Sequence, residues 1–185
     1  KVDLMDSTKT LNYLSKYNID LIVHCAAVVG GIQANIDGGS KFFTENVRID
    51  SSVLFAGKAI GVENFIYIGS SCMYPANIDH PLKENELLSG SLEPTNEWYA
   101  IAKISGVKLI EALRKEYGRD YVSLMPTNLY GPNDNFDLKA SHVLPAMIRK
   151  FHEAKLNGDV PVELWGTGSS MREFLHVDDL GQAIL

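Results

Sequence analysis

Tyr99 and Lys103 stand four residues apart in a segment with helical apolar spacing, which places their side chains on one helix face. A lysine ammonium near a phenol is expected to lower the pKa of the phenol, so that the tyrosine exchanges a proton near neutral pH. Such a phenol can protonate the oxygen of a carbonyl group during its reduction. Outside a suitable fold the same pair is an ordinary solvent-facing pair, so the neighbouring residues decide which of the two interpretations is favoured.

Three further side chains extend this carbonyl chemistry. Ser70 follows a short apolar segment, and a hydroxyl at the end of a strand can hydrogen-bond a substrate carbonyl. Cys72 and His142 can remove and return protons on carbons beside that carbonyl, because a thiolate and an imidazole both exchange protons. Each has a plainer alternative: a hydroxyl bonded to backbone, a small buried cysteine and a structural histidine. The combination predicts an enzyme that both epimerises and reduces a keto substrate.

Apolar runs that read as buried strands alternate with longer segments of helical spacing. The predicted strands are 19–25, 65–68, 121–125 and 162–165, and the predicted helices are 41–59, 96–117 and 142–154. This alternation predicts an α/β fold with a doubly wound, Rossmann-like parallel sheet covered on both faces. Gly61 and Gly118 are expected to cap helices in the left-handed conformation, and Ser141 to be an N-cap. Ligands of such sheets gather beyond the carboxyl ends of the strands.

The composition limits the class of protein. The 185 residues are 45% hydrophobic and 22% charged, as in an ordinary globular domain. The net charge of −6 gives no reason to expect binding to nucleic acid. The sequence lacks an apolar run of about 18 residues, so no membrane span is predicted. Cys25 and Cys72 stand outside any zinc-binding spacing, which predicts no metal and a reduced, cytoplasmic setting. The first and last residues predict an internal fragment of a longer protein.

Six stretches resemble the extended short-chain dehydrogenase/reductases. They are residues 23–32, 69–75, 92–103, 125–132, 141–146 and 165–179. The Ser-Ser-Cys and Ser-His-Val elements among them are similar to those of one branch of the family, whose enzymes convert GDP-4-keto-6-deoxy-D-mannose to GDP-L-fucose with NADPH. A GxGxxG turn is absent from the sequence, so the fragment is expected to lack the first βαβ unit. It is also expected to lack most of the C-terminal substrate domain. Residues 1–140 would be the remainder of the NADP-binding Rossmann domain, and 141–185 the start of the substrate-binding region.

The resemblance implies a role for each candidate residue. Tyr99 would protonate the C4 oxygen as hydride arrives, while Lys103 would tune Tyr99 and hold the nicotinamide ribose. Ser70 would fix the carbonyl. Cys72 would remove the protons at C3 and C5, which the C4 ketone makes acidic, and His142 would return protons on the opposite face.

The resemblance also implies the ligand contacts. The residues expected to bind NADP(H) are Ile68, Gly69, Ser70, Ser71, Lys103, Pro126, Thr127, Asn128, Leu129 and His142. Lys150, Trp165 and Arg172 would contact the GDP-sugar. Lys150 stands where the family usually has Arg, which keeps the charge but loses the bidentate fork, and Trp98 stands where Pro is common. The family further implies a homodimer formed through helices 41–59 and 96–117.

Two other functions stay open. The chain could belong to another nucleotide-sugar epimerase or dehydratase of the same family. A dehydratase would be expected to carry an Asp-Glu pair where Cys72 and Met73 stand, which disfavours that reading. A non-catalytic dinucleotide-binding module would often lack the tyrosine or the lysine, and this chain keeps both.

Overall fold

The computed structural model describes residues 1–138, 140–164 and 166–185. The helices are α1 (Ser7–Leu14), α2 (Ile32–Asp37), α3 (Gly39–Ala59), α4 (Glu97–Tyr117), α5 (Val143–Leu156) and α6 (Val177–Ile184). The strands are β1 (Leu21–His24), β2 (Asn64–Ile68), β3 (Asp120–Leu124), β4 (Asn128–Tyr130) and β5 (Phe174–His176). The chain divides into two units, Lys1–Val29 with Asn35–Pro126 and Gly30–Ala34 with Thr127–Leu185.

The first unit contains a parallel sheet in the order β1-β2-β3. His24 pairs with Tyr67 across the first two strands, and Ile68 pairs with Leu124 across the next two. Three predicted strands are therefore confirmed to within two residues, and so is the parallel α/β sheet. Strand β2 lies in the centre, so the residues that follow Ile68 start from the middle of the sheet's carboxyl edge.

Helices α3 and α4 pack against each other and, with β2 and β3, enclose the core of this unit. The core side chains are Val53, Leu54, Phe65, Tyr67, Met73, Ile104, Val107, Ile110, Leu113 and Tyr121. The strand residues that alternate to the other face are half-exposed among the described residues, Val23 at 38% and Val122 at 39%. Helices were expected to cover both faces of the sheet. Within the described part of the chain they cover one face.

The predicted helix ends in this unit are confirmed. Helix α4 stops at Gly118, whose φ of 66° is left-handed and lets its N–H donate to the Arg114 carbonyl at 3.0 Å. Gly61, just past α3, has a φ of 83°. Both positions favour glycine because a Cβ opposes this backbone conformation.

The second unit contains the parallel pair β4 and β5, with Asn128 opposite Phe174, and the helices α5 and α6. Neither strand was predicted, because three residues are too few for a periodic pattern to stand out. The strand predicted over 162–165 is wrong for 162–164, which are described and form no strand. The predicted N-cap of α5 is also wrong: His142 occupies that position, and the Ser141 N–H donates to the Asp137 carbonyl at 2.9 Å.

Other properties of the described residues bear on the class of protein. None of the described helices combines the length and apolar character that crossing a membrane requires. Among the same residues, no group of three or more His, Cys, Asp or Glu side chains could hold a metal ion.

Gly106 lets α4 approach the sheet closely, because a Cβ there would collide with the Tyr67 hydroxyl. Replacing a helical glycine with alanine normally stabilises by roughly 0.5–1 kcal/mol, but overpacking a core costs about 1–3 kcal/mol. We expect Gly106→Ala to destabilise the full-length protein and Gly181→Ala, whose Cβ would meet open space in α6, to be neutral or stabilising. Urea unfolding measures both; equal stability of the two variants would contradict this packing.

Candidate active site

The end of β2 presents three functional side chains. The Gly69 N–H donates to the Leu124 carbonyl at 2.7 Å, which extends the pairing of β2 with β3 by one residue. Ser70 is extended and caps the short 3₁₀ turn Ser71–Met73, its hydroxyl accepting from the Cys72 N–H at 3.3 Å. The serine hydroxyls and the thiol therefore lie at the carboxyl edge of the sheet, where ligands of parallel sheets bind.

Tyr99, in the first turn of α4, lies beside the side chain of Ser70. The edge of its ring meets Phe42 with the ring centres 6.4 Å apart. Burial raises the pKa of Tyr99, electrostatic interaction with Cys72 and Asp50 raises it further, and the interaction with the Ser70 side chain lowers it. The expectation of a lowered pKa is wrong for this structure, because the cost of burying a phenolate outweighs the favourable contacts.

Lys103 lies one turn further along α4 and is only 3% exposed. Its ammonium sits over the face of the Tyr67 ring, 4.4 Å from the ring centre. Burial lowers the pKa of Lys103, while electrostatic interaction with Asp50 and Cys25 opposes that shift. A buried ammonium is stable when negative charge and a ring face replace the water it has lost.

Asp50 on α3 supplies that negative charge and is 2% exposed. One carboxylate oxygen lies 2.9 Å from Nε2 of His24, and the other accepts the Tyr67 hydroxyl at 2.6 Å. The Tyr67 hydroxyl is also 3.5 Å from the Lys103 carbonyl. Three polar side chains on β1, α3 and β2 thus form one buried network beside the lysine.

This network was not predicted, although the sequence contains a signal for it. Asn46 and Asp50 are four residues apart on α3 and interrupt the apolar stripe that buries Val53 and Leu54. Polar residues within such a stripe are buried and need partners. Asn46 finds its partners in the segment after β1, accepting from the Val28 N–H at 2.8 Å and donating to the Val28 carbonyl at 2.9 Å.

Cys72 is half-buried and interacts electrostatically with Tyr99. The Asn96 side chain donates through Nδ2 to its sulfur at 3.2 Å. Among the predicted catalytic residues, the structure brings Ser70, Cys72, Tyr99 and Lys103 together in the first unit. Asn96 was not predicted, since a residue before a helix reads as a cap.

The second unit contains the remaining predicted catalytic residue, His142, and the residues predicted to contact the GDP-sugar. His142 is exposed at the start of α5, and its side chain makes no capping hydrogen bond. Lys150 donates to the Glu163 carbonyl at 3.0 Å, and the exposed Arg172 donates to the Met171 carbonyl at 2.8 Å. Trp165 lies outside the described residues.

The predicted NADP(H) residues are divided between the two units. Ile68, Gly69, Ser70, Ser71, Lys103 and Pro126 belong to the first unit, whereas Thr127, Asn128, Leu129 and His142 belong to the second. Asn128 starts β4, and its side chain donates to the Glu173 carbonyl at 2.9 Å.

The donor set of the first unit fits a dinucleotide cofactor. The Lys103 ammonium, which lies over the Tyr67 ring, carries three N–H donors of the kind that hold the hydroxyl groups of a ribose. The neighbouring phenol and serine hydroxyl stand at the edge of the sheet where such a cofactor binds.

Several curated proteins that synthesise GDP-L-fucose, according to their names, are similar to the chain. GDP-L-fucose synthase of Escherichia coli (strain K12) is 48% identical over 183 residues, covering 99% of this chain and 57% of that protein. GDP-L-fucose synthase 1 of Arabidopsis thaliana is 49% identical over 183 residues, with the same two coverages of 99% and 57%. The chain therefore spans little more than half the length of these curated relatives.

A solved structure with the same fold is that of a GDP-L-fucose synthetase from Naegleria fowleri bound to NADP. Its TM-score is 0.86 at 32% identity, and the match covers 98% of this chain and 59% of that one. The likeness confirms the Rossmann-like α/β fold. The model of the epimerase family described as "NAD dependent epimerase/dehydratase family" matches residues 1–185, and the chain therefore belongs to that family.

Proposed function

We propose that the full-length protein epimerises GDP-4-keto-6-deoxy-D-mannose at C3 and C5 and reduces C4 with NADPH to give GDP-L-fucose. The observation that carries this proposal is a thiol beside a phenol. The Tyr99 phenol lies beside the Ser70 side chain and interacts with Cys72, whose sulfur accepts a hydrogen bond from Asn96. A reductase alone needs the phenol, whereas an epimerase also needs an acid-base group beside it.

The reduction uses the phenol as an acid. NADPH, when bound, supplies the hydride to C4. Tyr99 gives its proton to the C4 oxygen, and its raised pKa keeps it protonated at neutral pH, in the form this step requires. Ser70 orients the carbonyl by hydrogen bonding, and the Lys103 ammonium holds the ribose and stabilises the phenolate that remains.

The epimerisation uses the thiol as a base. The C4 ketone makes the protons at C3 and C5 acidic, because the electron pair left on carbon moves onto the C4 oxygen as an enolate. Cys72 removes the proton from each of these two carbons, and His142 returns a proton to each carbon on the opposite face of the sugar ring. Lys150, Trp165 and Arg172 are proposed to contact the GDP-sugar, where an arginine fork and a lysine charge suit the diphosphate.

The remaining ligand and assembly predictions belong to the same proposal. Ile68, Gly69, Ser71 and the segment 126–129 are proposed to line the cofactor together with Lys103. The protein is proposed to act as a homodimer through α3 and α4, and a cytoplasmic setting stays a prediction. The division into an NADP-binding domain over 1–140 and a substrate-binding region from 141 also stays a prediction.

The test uses the full-length protein with GDP-4-keto-6-deoxy-D-mannose and NADPH in D₂O. We expect NADPH to be consumed and the product, analysed by NMR, to have inverted C3 and C5 that both carry deuterium. A product with the original configuration and no deuterium would identify a simple 4-reductase. Turnover of a different 4-keto nucleotide sugar would point to another member of the family, and NADPH binding without turnover to a non-catalytic module.

His142→Gln tests the second acid-base group. Removing a positioned proton donor typically lowers the rate of a proton-transfer step by about 10²-fold or more, so we expect deuterium incorporation and product formation to fall by that amount. His152→Gln is the matched control, because His152 is an exposed histidine on the same helix. Equal rates for the two variants would remove His142 from the mechanism.

A further inference from the structure

Asn96 precedes α4 and occupies its N-cap position. Asparagine is favoured at N-caps because its side-chain oxygen accepts a hydrogen bond from an N–H in the first turn. Here the side chain makes no capping bond. Its Nδ2 donates to Sγ of Cys72 at 3.2 Å instead. The side chain is therefore used for the sulfur and not for the helix.

The backbone holds this side chain in place from both directions. The Asn96 N–H donates to the Glu93 carbonyl at 3.2 Å, and the Asn96 carbonyl accepts from the Ala100 N–H at 3.0 Å. On the other side of the contact, the Cys72 N–H is bonded to the Ser70 hydroxyl. The amide and the thiol are thus attached to two fixed backbone segments, which makes their contact part of the folded site.

The chemistry of an amide suits a thiol that changes its protonation state. An N–H aimed at sulfur stabilises the thiolate, the form that accepts a proton. The amide oxygen of Asn96 is buried and has no hydrogen-bond partner among the described residues. After a half-turn of the amide this oxygen can accept the S–H of the protonated thiol. One side chain can therefore serve Cys72 before and after proton transfer.

We propose that Asn96 is a positioning residue for epimerisation, which holds the Cys72 sulfur and favours its thiolate. The assignment to epimerisation rests on the proposed function. In that step a C–H bond at C3 or C5 breaks and an S–H bond forms on Cys72. The electron pair moves to the C4 oxygen. The reductive group of Tyr99, Ser70 and Lys103 does not need the amide.

The first test measures the thiol without any sugar. The full-length protein is treated with iodoacetamide at neutral pH, where the thiolate displaces iodide, and peptide mass spectrometry follows each cysteine separately. Asn96→Asp keeps the size and capping ability of asparagine but places a carboxylate beside the sulfur. We expect alkylation of Cys72 to slow by about tenfold or more, because a neighbouring like charge disfavours the thiolate. Asn96→Ala should slow it several-fold, to about one fifth, by removing one hydrogen bond.

Two controls separate this effect from general damage. Cys25, which is exposed, should react at the same rate in every variant. Asn64→Asp makes the same substitution at the opposite end of β2, where the Asn64 side chain donates to the Asp20 carbonyl. We expect this variant to leave alkylation of Cys72 unchanged. An unchanged rate in Asn96→Asp would overturn the proposal, since a purely structural cap accepts aspartate as readily as asparagine.

The second test measures the reaction. In D₂O, we expect Asn96→Asp to lower deuterium incorporation at C3 and C5 about tenfold or more. Reduction of a GDP-4-keto sugar that is already inverted at both carbons should keep its rate. Loss of both activities in equal measure would overturn the positioning role. Slower alkylation in Asn96→Asp with no deuterium exchange in the unaltered protein would remove the proposed function and the assignment to epimerisation, while the hold on the sulfur would stand.

Discussion

Tyr99→Phe is expected to lower the rate of C4 reduction by about 10²–10⁴-fold while deuterium exchange at C3 and C5 continues. The variant removes the phenol hydroxyl beside Ser70 and keeps the ring that packs in a T-shaped arrangement with Phe42. The fold is therefore retained, and the loss reports the missing proton donor. Single-turnover oxidation of NADPH measures reduction, and NMR in D₂O measures exchange.

The reciprocal variant, Cys72→Ser, makes this result specific. It is expected to lower deuterium exchange by a similar factor while reduction of an already inverted 4-keto sugar continues, because the phenol is untouched. Cys25→Ser, at the other cysteine, serves as the control for replacing sulfur with oxygen. If Tyr99→Phe abolished exchange as well, the phenol and the thiol would not divide the two reactions as proposed.

Asp50→Ala is expected to destabilise the full-length protein by about 3–5 kcal/mol, because it leaves the buried Lys103 ammonium without the carboxylate that compensates its charge. The carboxylate is hydrogen-bonded to His24 and Tyr67 and opposes the effect of burial on Lys103. Without it the ammonium keeps the ring of Tyr67 and the weaker interaction with Cys25. Urea unfolding provides the measurement.

Two control variants separate the charge from its hydrogen bonds. Tyr67→Phe removes one hydroxyl from the network and is expected to cost about 1–3 kcal/mol, the usual penalty for an unsatisfied buried group. Asp79→Asn removes a fully exposed carboxylate and should change stability by less than about 0.5 kcal/mol. A loss in Asp50→Ala no larger than that of Tyr67→Phe would show that Asp50 contributes hydrogen bonds alone.

The same network predicts a dependence on pH. Burial lowers the pKa of Lys103 in the folded state from its ordinary value of 10.5, so protonated Lys103 costs stability at low pH. That cost disappears as pH rises through the window between the folded pKa and 10.5. Asp50→Asn removes the charge that opposes this shift and should deepen the cost. Its destabilisation is therefore expected to shrink between neutral pH and about pH 10, and a constant difference would contradict the coupling.

Local patterns in the sequence were sufficient to predict much of this fold and part of the candidate site. Strands β1 to β3 and helices α3 to α5 follow from apolar periodicity, because a buried face repeats at the spacing of its element. The spacing of Tyr99 and Lys103 places them on one face of α4, and Ser70 follows a strand that had to be buried. Their meeting at the carboxyl edge follows from the parallel sheet.

The other features depend on contacts between residues far apart in the chain. The Asp50 network joins three elements, and the contact of Asn96 with Cys72 joins a cap to a turn 24 residues away. The raised pKa of Tyr99 reflects its depth of burial, which the spacing to Lys103 does not reveal. A sequence shows which groups can exchange protons, but the packing around each group sets how much water it keeps and which charges face it. Those two quantities decide its protonation.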